Sequence, residues 1–375
     1  MKYFKHESMT YEDLLISPLL FLPHPQTEVT FKHSLKKLLH KYLHAVEELP
    51  DGPLNIEGLD ITGAYVKRAQ RSFIPGLLET IDIYYEGKPA KAFSQLSKTL
   101  SNDQKNFGEV LKKRKYPEHE SFYRIREQKG NFPIPSLQMF HIPFELRGII
   151  KTQRYSIPGF PCLYVGRTLY GCWEEMNRPD INEFQAVRLK SIKEVSYLDL
   201  TTPEINDQNA KNRDIYHYFM TWPLIACCSI KVKDYSHSFK PEYIIPQLLL
   251  QWVRDNHEID GISFHSTHID LHGSKSKGDF SNLVLPVKSN QEKGLCPNLM
   301  SMFEISDSIS WQLREHAIGG QTFTGSFGDH KTGVNLKIQQ LELIKGRAFP
   351  YSYSILGSLE SYLDHMTTYP MESLL

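Results

Sequence analysis

The sequence has no excess charge of either sign and no long apolar run. Its 43 lysines and arginines equal its 43 aspartates and glutamates, so no overall field would attract it to DNA, RNA or an anionic membrane. No apolar run reaches the roughly 20 residues that a membrane-spanning helix needs. The opening MKYFKHESMTYEDLL carries charges where a signal peptide is apolar. We therefore expect a cytoplasmic protein with no membrane or nucleic-acid partner.

The motifs of several common enzyme classes are also missing. There is no Gly-rich GxGxxG or Walker loop, so neither a Rossmann nor a P-loop fold is supported, and side chains would have to hold a bound nucleotide. The five cysteines lack CxxC spacing, which predicts reduced, mostly buried thiols. His265, His268 and His272 form HSTHIDLH, but no cysteine or HExxH motif accompanies them, so we expect loop histidines and no metal.

The pattern of apolar residues divides the chain into three segments. Residues 1–115 have helical spacing and predict a helical N-terminal region, with the basic run Lys112–Lys115 as its solvated end. Residues 116–299 alternate short apolar runs with turns and helical stretches, which predicts a mixed α+β domain. Residues 300–375 form an extension expected to pack on that domain, with a strand in VNLKIQQLELI and an exposed loop in GGQTFTGSFGDHKTG.

One stretch of the central segment collects residues that are suited to chemistry. In RYSIPGFPCLYVGRTLYGCWEEM a Pro/Gly turn follows Arg154, a buried strand carries Tyr164 and a short helix carries Glu175. This order can bring a cation, an aromatic ring and an acid into one cleft. Three further segments support it, namely FYRIR at 122–126, YIIPQLLLQWV at 243–253 and DGISFHS at 260–266.

With these residues in place, the central segment resembles the RES domain family over about residues 118–290. The resemblance rests on an arginine strand, an arginine before a Pro-Gly-x-Pro turn, a Leu-Tyr strand, a glutamate eleven positions later and a late Asp-Gly-Ile segment that ends in serine. These positions are, in order, Arg124, Arg154, Tyr164, Glu175 and Ser266. Phe264 stands where the family usually has a tyrosine, and this chain is much longer than the single-domain members.

The resemblance implies an α+β core like that of the ADP-ribosyltransferases. It also implies an enzyme that breaks the nicotinamide–ribose bond of NAD by phosphorolysis or hydrolysis. NAD is then a substrate rather than a cofactor, with phosphate or water as the acceptor. Many members are the toxin half of a toxin–antitoxin pair, so an antitoxin or another regulatory protein is an expected partner. A homo-oligomer is compatible with the sequence.

Glu175 is the predicted catalytic acid. Cleavage of the nicotinamide–ribose bond develops positive charge on the sugar, and a carboxylate near the ribose stabilises that oxocarbenium-like transition state. Without the resemblance, a solvated glutamate on a helix surface is the better interpretation. Glu174 is its neighbour, and adjacent helical residues point in different directions, so the two carboxylates are not expected to share one cleft.

Arginines are the predicted anchors for the pyrophosphate of NAD, because a guanidinium binds phosphate oxygens through two parallel hydrogen bonds. Arg124 and Arg154 are the candidates, and a structural ion pair is the alternative for each. Arg126 and Arg167 fit the family motif less well and are expected at the surface.

The remaining candidates each have a structural alternative. Tyr164 would stack on nicotinamide or donate its hydroxyl group to the ligand, or else lie in the core of the domain. Tyr170, within a turn or so of Glu175, is expected to line the same cleft. Ser266 would bind the nicotinamide ribose or orient the glutamate, or else cap a turn. Cys162 and Cys172 flank the site but have no histidine partner in sequence that would support a nucleophile.

Three functions are open at this point. The first is an NAD glycohydrolase or phosphorylase, and the second is an ADP-ribosyltransferase that uses the same cleft to modify a macromolecule. The third is an inactive nucleotide-binding or interaction module, whose helical region recruits a partner. The presence of all five motif residues favours an active enzyme.

Overall fold

The computed structural model of the chain describes residues 9–107, 111–128, 132–206, 208–269, 276–318 and 337–374. Both helices and a large sheet are present, so the predicted α+β class is confirmed. His272 and the predicted loop GGQTFTGSFGDHKTG lie outside the described residues. Across the described ranges, no helix combines the length and the apolar character that a bilayer crossing requires.

The described ranges contain ten α-helices. They are α1 (Tyr11–Leu15), α2 (Phe31–Glu47), α3 (Gly63–Tyr85), α4 (Pro89–Phe107), α5 (Leu169–Glu175), α6 (Arg213–Ser229), α7 (Ile244–Asp255), α8 (Pro297–Met300), α9 (Trp311–Ile318) and α10 (Ile355–His365). The prediction of helices in the N-terminal region is confirmed by α1 to α4, and YIIPQLLLQWV supplies most of α7.

The same ranges contain twelve β-strands. They are β1 (Lys113–Tyr116), β2 (Ser121–Glu127), β3 (Cys162–Gly166), β4 (Phe184–Ser191), β5 (Val195–Leu200), β6 (Gly261–His265), β7 (Lys277–Gly278), β8 (Ser281–Pro286), β9 (Phe303–Ser306), β10 (Ile338–Ile344), β11 (Arg347–Pro350) and β12 (Thr368–Pro370). The predicted strands at FYRIR, LYV, GISFH and IQQLELI are confirmed as β2, β3, β6 and β10.

The chain forms two compact units that do not follow its linear order. The first contains Met1–Arg114, Gln153–Tyr155 and Leu198–Asp255, and the second contains the remaining residues. Helices α6 and α7 therefore belong with the N-terminal helices, a grouping that the linear division into three segments does not contain.

The core of the first unit forms around α6, which is buried along most of its length. Helix α2 begins after Thr30, whose side chain accepts a hydrogen bond from the amide of His33. Further along α2, the ring of Tyr42 stacks on Trp222 of α6 with 4.5 Å between centroids. The Tyr42 hydroxyl group donates to the carbonyl of Phe219 at 2.7 Å. A buried tyrosine needs such a partner, so these contacts fix α2 against α6.

The basic run after α4 is not a solvated helix end, so that prediction was wrong. Strand β1 begins at Lys113, and Lys112 is buried with its Nζ atom 2.8 Å from Oδ2 of Asp199. Arg114 lies 3.4 Å from the same carboxylate. A buried charge is tolerated only when it is paired. The partner lies 87 residues away in sequence, where a local pattern does not reveal it.

The large sheet has nine strands in the order β1-β5-β6-β8-β3-β2-β4-β9-β12, and a smaller sheet has the order β11-β10-β7. Strand β2 pairs with β4 along all seven of its residues. Among the described residues, β2 shares a single pair with β3, between Tyr123 and Gly166. The neighbouring β2 residues on either side of Tyr123, Phe122 and Arg124, point to the opposite face of the sheet.

The second unit has two apolar cores. Successive side chains of a strand point to opposite faces of the sheet, so neighbouring residues of one strand can belong to different cores. Phe122, Leu163 and Val165 belong to one core. Tyr123 and Ile125 belong to the other, together with residues of α5 and α10. The period of two therefore assigns residues of β2 and β4 to both cores, and residues of α10 and α5 belong to the same core as Tyr123.

Arg154 lies in the first unit and is bound to the end of α6. Its Nη1 atom donates to the carbonyl of Cys228 at 2.9 Å, and its Nη2 atom donates to the carbonyl of Ile230 at 3.1 Å. The guanidinium also lies over the ring of Tyr243, 5.3 Å from its centroid. The last carbonyls of a helix have no partner within the helix, so Arg154 supplies donors that α6 lacks.

We expect Arg154→Ala to lower the free energy of unfolding of the first unit by about 2–3 kcal/mol, because two charge-assisted hydrogen bonds are lost. Urea unfolding followed by circular dichroism measures the change. Arg213→Ala removes an exposed arginine at the other end of the same helix and is the matched control, with an effect within about 0.5 kcal/mol. Equal unfolding midpoints for the two variants would contradict the structural role of Arg154.

Candidate active site

Glu175 is the last residue of α5, and its side chain is hydrogen-bonded to a residue outside that helix. Helix α5 starts at Leu169 after the cap residue Thr168, whose side chain accepts from the amide of Gly171. At the other end, Oε1 of the half-buried Glu175 accepts a hydrogen bond of 3.2 Å from the side-chain amide of Asn282 on β8. The carboxylate is thus oriented but still partly open to solvent.

The neighbouring carboxylate has a different environment. Glu174 is 4% exposed, and both of its oxygens accept hydrogen bonds from Arg178, at 3.0 and 2.8 Å. The two adjacent glutamates therefore have different partners, as helical geometry predicts. Glu174 is engaged in an ion pair with Arg178, whereas Glu175 accepts from the neutral side-chain amide of Asn282.

Arg124 on β2 lies beside the backbone of β3. Its Nη1 atom donates to the carbonyl of Tyr164 at 2.7 Å. Its Nε atom is buried and has no hydrogen-bond partner among the described residues. Burial lowers the pKa of Arg124 to about 10. The guanidinium therefore stays charged at neutral pH and keeps a donor that is not used within the described structure.

Cys172 connects this arginine electrostatically to the glutamate. Its thiol group donates to the carbonyl of Tyr123 at 3.2 Å. Burial is the main cause that raises the pKa of Cys172 to about 12, while Arg124 lowers this pKa and Glu175 raises it. Arg124 and Glu175 therefore act on the pKa of the Cys172 thiol in opposite directions. A thiol that stays protonated at neutral pH does not serve as the nucleophile.

Gly166 makes the close packing of this neighbourhood possible. A Cβ atom at this position would lie 2.6 Å from the Cys172 sulfur and 3.2 Å from Oδ1 of Asn282. Any larger residue at the end of β3 would therefore displace α5 or the amide that holds Glu175.

The two tyrosines lie on different elements and have different surroundings. Tyr164 is half-buried on β3, where it pairs with Val284 of β8, and it contributes to the electrostatic environment of Arg124. Tyr170 is buried in α5 with its ring edge-on to Phe280. Burial and a hydrogen bond with Glu174 raise the pKa of Tyr170. Its hydroxyl group therefore points toward Glu174.

Ser266 is buried and follows β6. Its Oγ atom accepts from the amide of His268 at 3.1 Å, the turn-capping contact that was its structural alternative. Phe264, two residues earlier, pairs with Asn282, and Asn282 pairs in turn with Gly166. The end of β6 therefore lies beside Asn282 in the sheet, and Ser266 is the residue that follows β6.

Arg154 is part of the first unit, whereas Arg124 and Glu175 are part of the second. Both Nη atoms of Arg154 donate to backbone carbonyls. Hydrogen bonds to backbone carbonyls are typical of a structural role. The binding of substrate by Arg154 stays a prediction.

Two outcomes differ from the sequence analysis. The expectation of a surface position for Arg167 was wrong, since it is 6% exposed, pairs with Glu120 and Asp279 and lies 4.4 Å from the ring centroid of Tyr116. Asn282, the residue that holds Glu175, was missed. Its only sequence signal is a polar side chain at the start of the apolar run LVLPV.

Four of the five cysteines are buried, as predicted, and all five are free in this structure. Within the described ranges, no three His, Cys, Asp or Glu side chains are grouped as a metal site would require.

Comparison with known proteins gives one informative relative. No family model matches the chain, and no solved structure matches it. The chain is 35% identical over 312 residues to the Bacillus subtilis (strain 168) protein named "Putative toxin YopC". This match covers 78% of the present chain and 68% of the relative. At this identity and coverage, the chain belongs to the same family as the Bacillus subtilis protein.

Proposed function

We propose that the chain is an NAD-consuming enzyme that cleaves the bond between nicotinamide and ribose, and that this activity underlies a toxin-related role. The resemblance of its motif residues to the RES domain family supports the reaction, and the name of the Bacillus subtilis relative supports the toxin-related role. The observation that carries the proposal is the half-buried carboxylate of Glu175, which the side-chain amide of Asn282 holds by a hydrogen bond.

The chemistry requires a fixed negative charge near the ribose. When the bond between C1′ and the pyridinium nitrogen breaks, its electron pair goes to nicotinamide, which leaves neutral, and positive charge develops on the sugar. Glu175 would stabilise that charge, and the Asn282 hydrogen bond would hold the carboxylate before the substrate arrives. Water or phosphate then forms the new bond to C1′, giving ADP-ribose or its 1-phosphate.

Arg124 would bind an anionic part of NAD. A charged guanidinium with a buried, unused Nε–H donor is suited to a pyrophosphate oxygen. Its Nη1 contact with the Tyr164 carbonyl holds the side chain against β3. Tyr164 would then contact the nicotinamide from the same strand, and the core around it would resemble that of the ADP-ribosyltransferases.

We expect Glu175→Gln to lower the rate of nicotinamide release by about 10²–10³-fold, because it removes the charge and keeps the shape. Mass spectrometry of the products from NAD, with and without phosphate, measures the rate and identifies the acceptor. Glu174→Gln is the matched control, which loses a charge in the ion pair with Arg178 and should alter stability more than turnover. Equal losses of turnover in folded samples of both variants would refute the assignment.

Arg124→Ala should weaken NAD binding by about 1.5–3 kcal/mol, the contribution of a charge-assisted hydrogen bond to phosphate. Arg124→Lys should restore only part of this free energy, because an ammonium group does not reproduce the planar guanidinium. Calorimetry with the Glu175→Gln background, which prevents turnover, measures affinity directly. If NAD affinity in the alanine variant equals that of its parent, Arg124 is structural.

Expression of the chain in a growing bacterial culture should stop growth. If NAD depletion is the cause, the cellular NAD concentration falls before growth slows, and the Glu175→Gln variant at equal expression leaves both unchanged. Time courses of NAD and of cell density test the order of events. Growth arrest at a steady NAD concentration would instead favour transfer of ADP-ribose to a macromolecule.

A further inference from the structure

A carboxyl group from the C-terminal helix is buried at the start of α5. Glu360 of α10 is 1% exposed, and its Oε2 atom accepts a hydrogen bond of 2.7 Å from the amide of Leu169. The same oxygen accepts a second one of 2.9 Å from the hydroxyl group of Tyr351. Glu360 lies 185 residues beyond Glu175, outside the central segment that contains the motif residues.

These contacts supply what the first turn of α5 lacks. The first amides of a helix have no carbonyl partner within it. In α5, the Thr168 side chain accepts from Gly171, and Glu360 accepts from Leu169. The helix has seven residues and therefore spans about 10 Å. A short helix held at its first residue determines where its last residue, Glu175, lies.

A second contact joins α10 to the strand that carries Arg124. Asp364, one turn after Glu360, accepts a hydrogen bond of 2.5 Å from the hydroxyl group of Tyr123, the residue before Arg124. Arg188 of β4 donates to the carbonyl of Met366 at 2.7 Å, just beyond the end of α10. Helix α10 thus binds both α5 and the β2–β4 pair, the two elements that position the acid and the arginine.

We propose that Glu360 is a positioning residue, which fixes the first turn of α5 and thereby the direction of the Glu175 carboxylate. This role deepens the proposed function and rests on it for its effect on catalysis. Glu360 is remote from the reacting atoms and acts through the helix, so its loss is expected to change turnover more than substrate affinity.

The ionisation of Glu360 gives the role a distinctive pH dependence. Burial is the main cause that raises its pKa to about 8, Asp364 also raises it, and the hydrogen bonds of Leu169 and Tyr351 and the charge of Lys337 lower it. The other titratable groups that interact with it are Tyr123 and Cys172.

The direction of the effect follows from the raised pKa. The folded state binds the proton more tightly than the unfolded chain, so this contribution to stability is complete below the ordinary value of 4.5 and is lost as the pH rises through about 8. Near neutral pH, a protonated Glu360 still accepts from Leu169. Above pH 8 the buried charge opposes the packing of α10 on α5.

Two substitutions separate the hydrogen bond from the charge. Glu360→Gln keeps an acceptor for Leu169 and cannot ionise. It should retain turnover at neutral pH. In the unsubstituted chain we expect kcat to decline as the pH rises through about 8, and this decline should be absent in Glu360→Gln. Glu360→Leu removes the acceptor and should lower kcat by about tenfold to a hundredfold with a small change in KM, because α5 is misplaced. Glu372→Gln changes an exposed carboxylate near the C-terminus and is the matched control.

The experiment measures kcat and KM for nicotinamide release between about pH 6 and pH 9, with amide hydrogen exchange of residues 169–175 on the same samples. Faster exchange in Glu360→Leu than in Glu372→Gln supports the anchoring of α5, even if the protein releases no nicotinamide. In that case only the proposed function fails. Unchanged exchange and kcat in Glu360→Leu would overturn the proposal. Should that variant not fold, a decline near pH 8 that persists in Glu360→Gln overturns it.

Discussion

The position of α5 depends on hydrogen bonds that come from outside the helix. Isolated helices shorter than about 12–15 residues are marginal in water, and α5 has seven residues. Its first amide is bound by Glu360, and the carboxylate of its last residue is bound by Asn282. Helix α5 is therefore placed by its neighbours at both ends. Tertiary contacts thus determine the orientation of the candidate catalytic acid.

The buried charges also depend on partners from distant parts of the chain. Arg167 is buried because Glu120 and Asp279 neutralise it from two other parts of the chain. Lys112 is buried because Asp199 lies 2.8 Å away. Without these partners, the cost of desolvation would keep each charge at the surface. A surface position was predicted for both residues from local sequence composition. Arg124 differs from Arg167, because burial lowers its pKa and no carboxylate offsets this effect. Its Nη1 atom donates to the carbonyl of Tyr164, and its buried Nε atom has no hydrogen-bond partner among the described residues, as is also true of the Nε atoms of Arg188 and Arg314.

Local periodicity predicted several elements of the fold, and long-range pairing accounts for much of what it missed. The strands around Arg124, Tyr164 and Ser266 and the helix that ends at Glu175 could be read from patterns of a few residues. The grouping of α6 and α7 with the N-terminal helices could not, because the stacking of Tyr42 on Trp222 joins residues 180 positions apart. Asn282 and Glu360 were not predicted for the same reason. Each is an ordinary polar residue in sequence, and only pairing in space brings it to α5.

The central segment is therefore unlike an independent module. If residues 116–299 were cut out, α6 and α7 would lose the helices that cover them, and an apolar surface centred on Trp222 would meet water. In the second unit, the amide of Leu169 and the hydroxyl group of Tyr123 would lose Glu360 and Asp364. A buried donor without an acceptor costs about 1–3 kcal/mol, a large fraction of the stability of a domain. The segments on either side of the central segment thus supply the apolar cover of α6 and α7 in the first unit, and the C-terminal one supplies the acceptors for α5 and β2 in the second.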